Sequence, residues 1–166
     1  MIRKKICMLG AFAAGKTSLV QRFVAGLFSE KYHTTIGVKI DRREVAVDGG
    51  TVTLLLWDLA GEDEFQRVRM SYLRGSAGLL FVVDGTRLGT LDQVKLLRRE
   101  ACDIVGDVPV VVALNKSDLA TEWELDADVG DHLRAEGWMV FVTSAKSGVG
   151  VAEAFQWLAH AVSGGT

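Results

Sequence analysis

The chain has few of the residues that crosslinks and metal sites require. It contains two cysteines and three histidines among its 166 residues. Cys7 and Cys102 each lie in an apolar periodic segment, so we expect two small core residues and no disulfide framework. His33, His132 and His160 are far apart, without the spacing of a metal-ligand set. This composition argues against a disulfide-stapled scaffold and against a histidine-based metal site.

The chain also lacks a large charge of one sign and a long apolar run. Its net charge of −2 gives no electrostatic reason to expect nucleic acid as a partner, because that requires a clustered basic excess. The basic groups are short, and we expect ordinary solvated surface at Arg3-Lys4-Lys5, Arg42-Arg43 and Arg98-Arg99. The longest apolar runs, Gly78–Val83 and Val108–Leu114, are too short for a transmembrane segment.

No targeting signal is visible at either end of the sequence. The N-terminus enters an apolar strand at once and has no signal-peptide pattern. The C-terminal residues Ser163-Gly164-Gly165-Thr166 contain no lipidation cysteine, so no prenylation box is present. We therefore expect a cytoplasmic protein that reaches membranes only through partners or through a missing tail.

Strand-like apolar runs alternate with segments of helical periodicity along the whole chain. The predicted strands are Ile6–Leu9, Val38–Val47, Thr51–Trp57, Leu79–Val83, Val108–Leu114 and Trp138–Val142, the fifth containing the only proline, Pro109. The predicted helices contain the stripes Leu19–Leu27, Leu91–Ile104 and Val151–Val162, with a weaker acidic helix at Leu125–Ala135.

This order predicts a single α/β domain spanning residues 1–166. Asp48-Gly49-Gly50 reads as a hairpin turn between two of the strands. The expected architecture is a six-stranded, mostly parallel sheet with one antiparallel hairpin strand and helices on both faces. Ligands bind such a sheet at the carboxyl ends of its strands, and every motif described below falls at such an end.

The first predicted strand leads into a glycine-rich loop. Gly10-Ala11-Phe12-Ala13-Ala14-Gly15-Lys16-Thr17 matches G-x-x-x-x-G-K-[ST] between a strand and a helix. The glycines let backbone N–H groups converge on phosphate oxygens, and the helix N-terminus adds the positive end of its dipole. Lys16 would supply a charge between the β- and γ-phosphates, and the Thr17 hydroxyl would bind Mg²⁺. The other predicted nucleotide-binding residues of this segment are Ala13, Ala14, Gly15 and Ser18.

A second motif closes the predicted strand Thr51–Trp57. In Asp58-Leu59-Ala60-Gly61, the Asp58 carboxylate would lie across from the glycine-rich loop and hold Mg²⁺ through water. Gly61 would place its backbone N–H against a γ-phosphate. The tetrapeptide alone is a weak signal for a phosphate and magnesium site. Its position after the glycine-rich loop and the hairpin makes the signal specific.

A third pair of motifs predicts a reader of the guanine base. In Asn115-Lys116-Ser117-Asp118, the Asp118 carboxylate would accept hydrogen bonds from guanine N1–H and the 2-amino group. Adenine has neither donor, and sites of this kind discriminate by roughly 10⁴–10⁵-fold. The Lys116 stem would lie along the purine face, and in Ser144-Ala145-Lys146 the Ala145 N–H would reach guanine O6. An ATP-using kinase or ATPase is the alternative that the glycine-rich loop alone leaves open.

Together these residues resemble the Ras superfamily of small GTPases, from Ile6 to about Val162. The resemblance implies the fold of a P-loop NTPase G domain. Two stretches, Tyr32–Val38 and Ser71–Gly75, are similar to the Rab branch in particular. Ile40 stands where that branch has an aromatic residue, which is consistent with a divergent, prokaryotic member.

The resemblance implies roles for the two switch segments, at about residues 30–38 and 60–73, which the γ-phosphate orders. The Thr35 hydroxyl would bind Mg²⁺ and its N–H would contact the γ-phosphate, while Phe28 would edge onto the guanine. Effector, exchange and activating proteins would bind through Thr35–Val38, Ile40, Trp57 and Glu62–Tyr72. The alternative for Trp57 and Tyr72 is packing within the hairpin and the switch.

Two residues depart from the family pattern near the reacting phosphate. Glu62 stands where the family has a glutamine that orients the attacking water. An ionised glutamate only accepts hydrogen bonds, and its charge repels the γ-phosphate. Phe12 stands where most relatives have a small residue. Its ring would crowd the space beside the γ-phosphate and obstruct both the water-orienting residue and an arginine supplied by an activating partner. Switch I has no arginine, so an arginine finger would come from a partner or from Arg67 or Arg69.

We therefore predict a GTP/GDP switch with slow intrinsic hydrolysis, in which the catalytic residues are Lys16, Thr35, Gly61 and Glu62. Two alternatives stay open. Glu62 could accept a proton from the attacking water if its pKa were raised, and so support ordinary hydrolysis. The chain could instead be a GTP-bound scaffold, a pseudo-GTPase with negligible turnover.

Overall fold

A computed structural model describes residues 2–11, 13–24, 31–33, 38–59 and 70–164, of which 31–33 are described by their backbone only. The strands in these ranges are β1 (Ile2–Gly10), β2 (Lys31–His33), β3 (Val38–Val47), β4 (Gly50–Leu59), β5 (Gly78–Asp84), β6 (Val110–Asn115) and β7 (Met139–Val142). The helices are α1 (Lys16–Val24), α2 (Gly89–Val105), α3 (Val129–Ala135) and α4 (Val151–Val162), with a 3₁₀ turn at Ala120–Glu122.

The strands form one sheet in the order β2-β3-β4-β1-β5-β6-β7. β3 runs antiparallel to both of its neighbours, and all the other pairs are parallel. The predicted α/β class and the mostly parallel sheet are confirmed. The sheet has a seventh strand beyond the six expected, because the three residues of β2 are too few to show a strand periodicity in the sequence.

The predicted hairpin joins β3 to β4. Val47 pairs with Gly50, so the connection is the two residues Asp48 and Gly49. Gly49 has φ +86°, a backbone conformation that glycine adopts without steric cost. The turn sets the register that aligns Ile40 with Trp57 further along the hairpin.

Two apolar layers cover the faces of the sheet. β5 and β6 are buried along their whole length, as expected for parallel strands with helices on both sides. On one face α1 and α4 meet through the stacked rings of Phe23 and Phe155, with centroids 4.2 Å apart. On the other face α2 and α3 cover Phe81, whose ring meets Trp138 edge-on at 5.5 Å. Helices on both faces are therefore also confirmed.

Several local expectations need correction. The acidic helix begins at Val129 rather than Leu125, because aspartates 126 and 128 favour turns and the Val129 N–H bonds Asp126 O. β6 begins at Val110, after Pro109, whose nitrogen has no hydrogen to donate to the sheet.

The cysteines and the basic pairs also differ from expectation in part. Cys7 is buried as expected, whereas Cys102 is only half-buried. Arg43 and Arg98 are not simply solvated, because their guanidinium groups lie over aromatic rings, at 4.3 Å from the Phe23 centroid and 4.2 Å from the Trp138 centroid. The long arginine stems let both side chains cover core aromatics.

Candidate functional site

The glycine-rich loop connects the end of β1 to the start of α1. Ala13 and Gly15 have positive φ angles of +61° and +102°, and Ala14 N–H donates to Ala11 O at 3.2 Å. α1 begins at Lys16, whose side chain is only 7% exposed. The tight turn thus places a buried lysine at the N-terminus of a helix, the end that attracts anions.

Close approach of other chain segments explains why two positions of this loop are glycine. A Cβ added at Gly10 would lie 2.6 Å from Val82 O of the neighbouring strand β5. A Cβ added at Gly15 would collide with Nδ2 of Asn115. The second contact brings the first predicted motif directly against the third.

Asn115 connects three segments that are distant in sequence. Its Nδ2 donates to Ala14 O at 3.0 Å, and its Oδ1 accepts a hydrogen bond from Thr143 Oγ1, also at 3.0 Å. The side chain is 1% exposed, so both bonds are shielded from water. Asn115 therefore fixes the glycine-rich loop relative to the segments that follow β6 and β7.

Thr17 and Asp58 bring a hydroxyl and a carboxylate together beside the loop. Thr17 Oγ1 donates to Asp58 Oδ2 at 2.5 Å, and Asp58 is 6% exposed. Oxygen donors of this kind suit Mg²⁺, which is commonly held by one or two carboxylates together with substrate phosphates and water. Within the described ranges no three or more His, Cys, Asp or Glu side chains cluster as a metal site. The pair fits a magnesium site completed by a bound phosphate.

The two predicted base-reading motifs are joined by their side chains. Ser144 Oγ donates to Asp118 Oδ1 at 2.7 Å and accepts from Ser147 N–H at 3.0 Å. Ser144 is fully buried, whereas Asp118 is exposed. The bond fixes the orientation of a carboxylate that stays accessible to a ligand.

A cavity of about 560 Å³ connects the loop to the base-reading motifs. Its volume is within the usual range for small-molecule sites, roughly 300–1,000 Å³. It brings together predicted residues of three motifs, with neighbours from α1 and the loop after β6. The lining residues are Gly15, Ser18, Gln21, Arg22, Asn115, Lys116, Asp118, Leu119, Ala145 and Lys146.

Arg22 is a residue of the site that no motif indicated. From α1 its Nη2 donates to Ser147 O at 3.0 Å, and its Nη1 lies 3.5 Å from Lys146 O. A Cβ added at Gly148 would lie 2.6 Å from Nη2. Arg22 thus braces the loop after β7 against the helix that follows the glycine-rich loop.

Asp84 is the second residue that motif analysis missed. It ends β5 and is 1% exposed. Its Oδ1 accepts bonds from Thr86 N at 2.9 Å and Thr86 Oγ1 at 2.6 Å, and its Oδ2 lies 2.8 Å from Arg87 Nε and 2.9 Å from Lys116 Nζ. The strand-end rule, applied to Leu79–Val83, would have indicated it.

The surroundings of Asp84 keep it ionised. Burial alone raises the pKa of this carboxyl, but the hydrogen bonds from Thr86, Lys116 and Arg87 outweigh burial and hold the pKa well below its ordinary value. Asp84 is therefore a buried carboxylate whose Oδ2 contacts two cations, Arg87 and Lys116 of the predicted base-reading motif.

Trp57 and Tyr72, two of the residues predicted to bind partner proteins, contact each other. Trp57 lies near the end of the β3–β4 hairpin that is remote from its turn. The rings of Trp57 and Tyr72 have centroids 5.9 Å apart and are tilted by 46°. Lys5 Nζ lies 3.9 Å from the Trp57 centroid and donates to Tyr72 O and Arg74 O. Burial lowers the pKa of Lys5. Ile40 faces Trp57 across the β3–β4 pair.

Several predicted site residues lie outside the described residues. The interpretations of these positions stay predictions: Phe12, Phe28, Thr35, Gly61, Glu62, Arg67 and Arg69. In the part of the chain that is described, no helix is both long and apolar enough to span a membrane.

A glycine-rich loop before α1, at the carboxyl edge of a mostly parallel sheet, defines a P-loop nucleotide-binding protein. The family model that describes the Ras family matches residues 5–164. The Ras-related protein RABA6a of Arabidopsis thaliana is 37% identical over 153 residues, which cover 91% of this chain and 66% of that protein. The chain therefore belongs to the Ras family and is Rab-like, as the sequence motifs predicted.

Proposed function

We propose that this chain binds GDP and GTP together with Mg²⁺ and acts as a nucleotide-dependent switch. Its membership of the Ras family supports a small GTPase in general. The nucleotide would occupy one cavity, with its phosphates at one end and its base at the other.

One observation carries this proposal above all others. Gly15 and Ser18 of the phosphate motif line the same cavity as Lys116, Asp118 and Ala145 of the base motifs. A P-loop alone binds many nucleotides, whereas an accessible aspartate also lines this cavity, at the end where we expect the base. Adenine would leave that carboxylate without donors, so guanine is the base the site favours.

The phosphates would bind at the loop between β1 and α1. Lys16 and the N-terminus of α1 would attract the phosphate oxygens, with Ala13, Ala14 and Gly15 contributing backbone N–H groups. Thr17 and Asp58 would hold Mg²⁺, with Thr35 joining them when GTP is bound. Bound Mg²⁺ would neutralise the developing charge on the β- and γ-phosphate oxygens.

The base would lie between the segments that follow β6 and β7. Asp118 would accept the guanine N1–H and 2-amino donors, with Ser144 fixing its carboxylate at 2.7 Å. Lys116 would cover one face of the purine, Phe28 would meet its edge, and Ala145 N–H would donate to O6. Asn115 and Lys146 would complete this end of the site.

A binding experiment tests this assignment. The purified chain should retain a fluorescent GDP analogue in the presence of Mg²⁺, and unlabelled GDP and GTP should displace it while ATP does not. The nucleotide that copurifies with the chain should be a guanine nucleotide. Displacement by ATP as effective as displacement by GTP would exclude the guanine assignment and favour an ATP-using enzyme.

We further propose that intrinsic hydrolysis is slow, with Lys16, Thr35, Gly61 and Glu62 at the reacting phosphate. An ionised glutamate cannot donate a hydrogen bond to the transition state as a glutamine does, and its charge repels the γ-phosphate. The Phe12 ring would also obstruct an arginine finger, an interaction worth roughly 10³–10⁵-fold in rate.

Single-turnover hydrolysis of GTP by Phe12→Gly and Glu62→Gln tests this second proposal. Each substitution should accelerate hydrolysis by about tenfold or more, because each restores the arrangement typical of the family. Thr17→Ala serves as the control that lowers Mg²⁺-dependent activity. A family-typical wild-type rate that neither substitution changes would contradict our interpretation of both residues.

The same assay separates the switch from a GTP-bound scaffold, which Phe12 and Glu62 also favour. A scaffold would copurify with GTP and show no measurable turnover. In either case, partners would bind through Thr35–Val38, Ile40, Trp57 and Glu62–Tyr72. The contact between the Trp57 and Tyr72 rings supports a preformed aromatic patch within that surface.

A further inference from the structure

We propose that Asp84 is a positioning residue for the base site, which holds Lys116 in place and thereby slows nucleotide release. This inference rests on the proposed binding of guanine nucleotides. It assigns a role to a carboxylate at the end of β5, outside the phosphate and base motifs.

The sheet itself brings Asp84 to the base motif. β5 and β6 are parallel neighbours, and Asp84 is aligned with Asn115. Gly85 N–H donates to Asn115 O at 2.9 Å, which continues the pairing beyond the end of β5. Lys116 is the first residue after the end of β6, so it directly follows the residue that is aligned with Asp84.

The backbone and the side chain of Lys116 are both constrained. Lys116 has φ +72°, a left-handed conformation that is uncommon for a residue with a side chain. Its ammonium lies 2.9 Å from Asp84 Oδ2, and the side chain lines the nucleotide cavity. A lysine stem has four flexible bonds. Pairing its charged end with a buried carboxylate therefore limits the positions the stem adopts along the cavity wall.

The two oxygens of Asp84 have separate partners, which makes the idea testable. Oδ1 accepts from the backbone and hydroxyl of Thr86, and these bonds hold the turn after β5. Oδ2 faces the cations of Arg87 and Lys116. An asparagine of the same shape can keep the acceptor for Thr86, while its NH₂ group cannot accept from a cation.

Arg87 provides a matched control. It pairs with the same oxygen as Lys116, at 2.8 Å, but it is not among the described residues that line the nucleotide cavity. If Asp84 served only to hold its turn, removal of Arg87 would disturb that turn and accelerate release as Asp84→Asn does. If Asp84 positions Lys116, only the Lys116 pairing influences the nucleotide.

The experiment measures release of a fluorescent GDP analogue from the Mg²⁺-bound protein into excess GDP. Asp84→Asn should accelerate release by about tenfold or more, as expected for loss of a bond between charged partners. Lys116→Met keeps the apolar stem and removes the ammonium, so it should also accelerate release. The double variant should release GDP no faster than Lys116→Met alone, because both changes remove one interaction. Arg87→Met should stay within about twofold of wild type.

The outcomes are distinguishable. A wild-type chain that does not retain the GDP analogue would contradict the proposed function itself. If the wild type binds the analogue and Asp84→Asn releases GDP at the wild-type rate, only the positioning role is overturned. The positioning role is also overturned if the accelerations caused by Asp84→Asn and Lys116→Met multiply in the double variant. If Asp84→Asn does not fold, Lys116→Met decides alone, and release at the wild-type rate would overturn the role.

Discussion

At the scale of single residues, Asn115 and Gly15 determine how the glycine-rich loop packs against the segment that follows β6. The Asn115 amide fills the space that a side chain at position 15 would need, and it bonds Ala14 O from that position. Gly15 also has a positive φ, which glycine adopts without the steric cost that a side chain would add. The backbone conformation therefore favours glycine at this position as well. One asparagine and one glycine thus join the phosphate motif to the base motif.

Gly15→Ala should therefore weaken GDP binding by about tenfold or more, because the new methyl group displaces Asn115 from Ala14. The matched control is Gly106→Ala, at the end of α2, with φ +78° and no atom within 4 Å of the added Cβ. Both positions have a positive φ that is costly for a residue with a side chain, on the order of 1–3 kcal/mol. Titration with a fluorescent GDP analogue should distinguish them, and equal affinities would disprove the role of the collision.

Asp84 should also make the free energy of unfolding depend on pH in the acidic range. Its pKa in the folded chain is held well below its ordinary value, and in the unfolded chain it lies near 4. A carboxyl whose pKa falls on folding contributes stability that is complete above its unfolded pKa and is lost as the pH falls toward its folded pKa.

Urea unfolding of the GDP-saturated protein measures this contribution between about pH 7 and about pH 3. Asp84→Asn should be less stable than wild type at neutral pH, and the difference should shrink below about pH 4. A difference that stays constant over this range would show that ionisation of Asp84 does not stabilise the fold.

At the scale of elements, the turn after β5 supports the segment that includes the 3₁₀ turn. The Trp123 ring lies against Gly85, where an added Cβ would collide with it. Glu124 N–H donates to Gly85 O at 2.8 Å, and Glu124 Oε1 accepts from Leu88 N–H at 2.7 Å. The segment after the base motif is therefore fixed by the same turn that carries Asp84.

Gly85→Ala should destabilise the protein by about 1–3 kcal/mol through overpacking against Trp123. Trp123→Leu in the same chain should recover part of the loss, because the smaller side chain leaves room for the methyl group. Gly89→Ala, whose Cβ would meet no atom within 4 Å, should be neutral or stabilising at the start of α2. Denaturant unfolding compares the three, and a neutral Gly85→Ala would disprove the close contact.

The elements differ in how far the sequence predicted them. β5 and β6 were predicted because their continuous apolar runs are typical of strands buried on both faces. The predicted start of α3 was wrong, because the turn in which Val129 N–H bonds Asp126 O delays the helix to Val129, although apolar residues at helical spacing extend back to Leu125. Arg22 was missed because its hydrogen-bond partner Ser147 lies 125 positions away in the sequence, and no local pattern encodes such a contact.

At the scale of the whole molecule, segments from β1, β4, β5, β6 and β7 meet at one edge of the sheet. Short local motifs predicted the phosphate and base residues there. Asn115, Asp84 and Arg22 connect those motifs through hydrogen bonds and ion pairs between distant segments. We therefore expect a change at the base motif to alter retention of the whole nucleotide.

The most direct test of guanine recognition is the nucleotide preference of Asp118→Asn. The amide replaces one carboxylate oxygen with a donor, so the variant should lose affinity for GDP by about 10²-fold or more and gain affinity for XDP. Competition of GDP and XDP against a fluorescent nucleotide, for wild type and variant, measures the exchange of preference. An unchanged preference for GDP over XDP would contradict the assignment of Asp118 as the reader of the base.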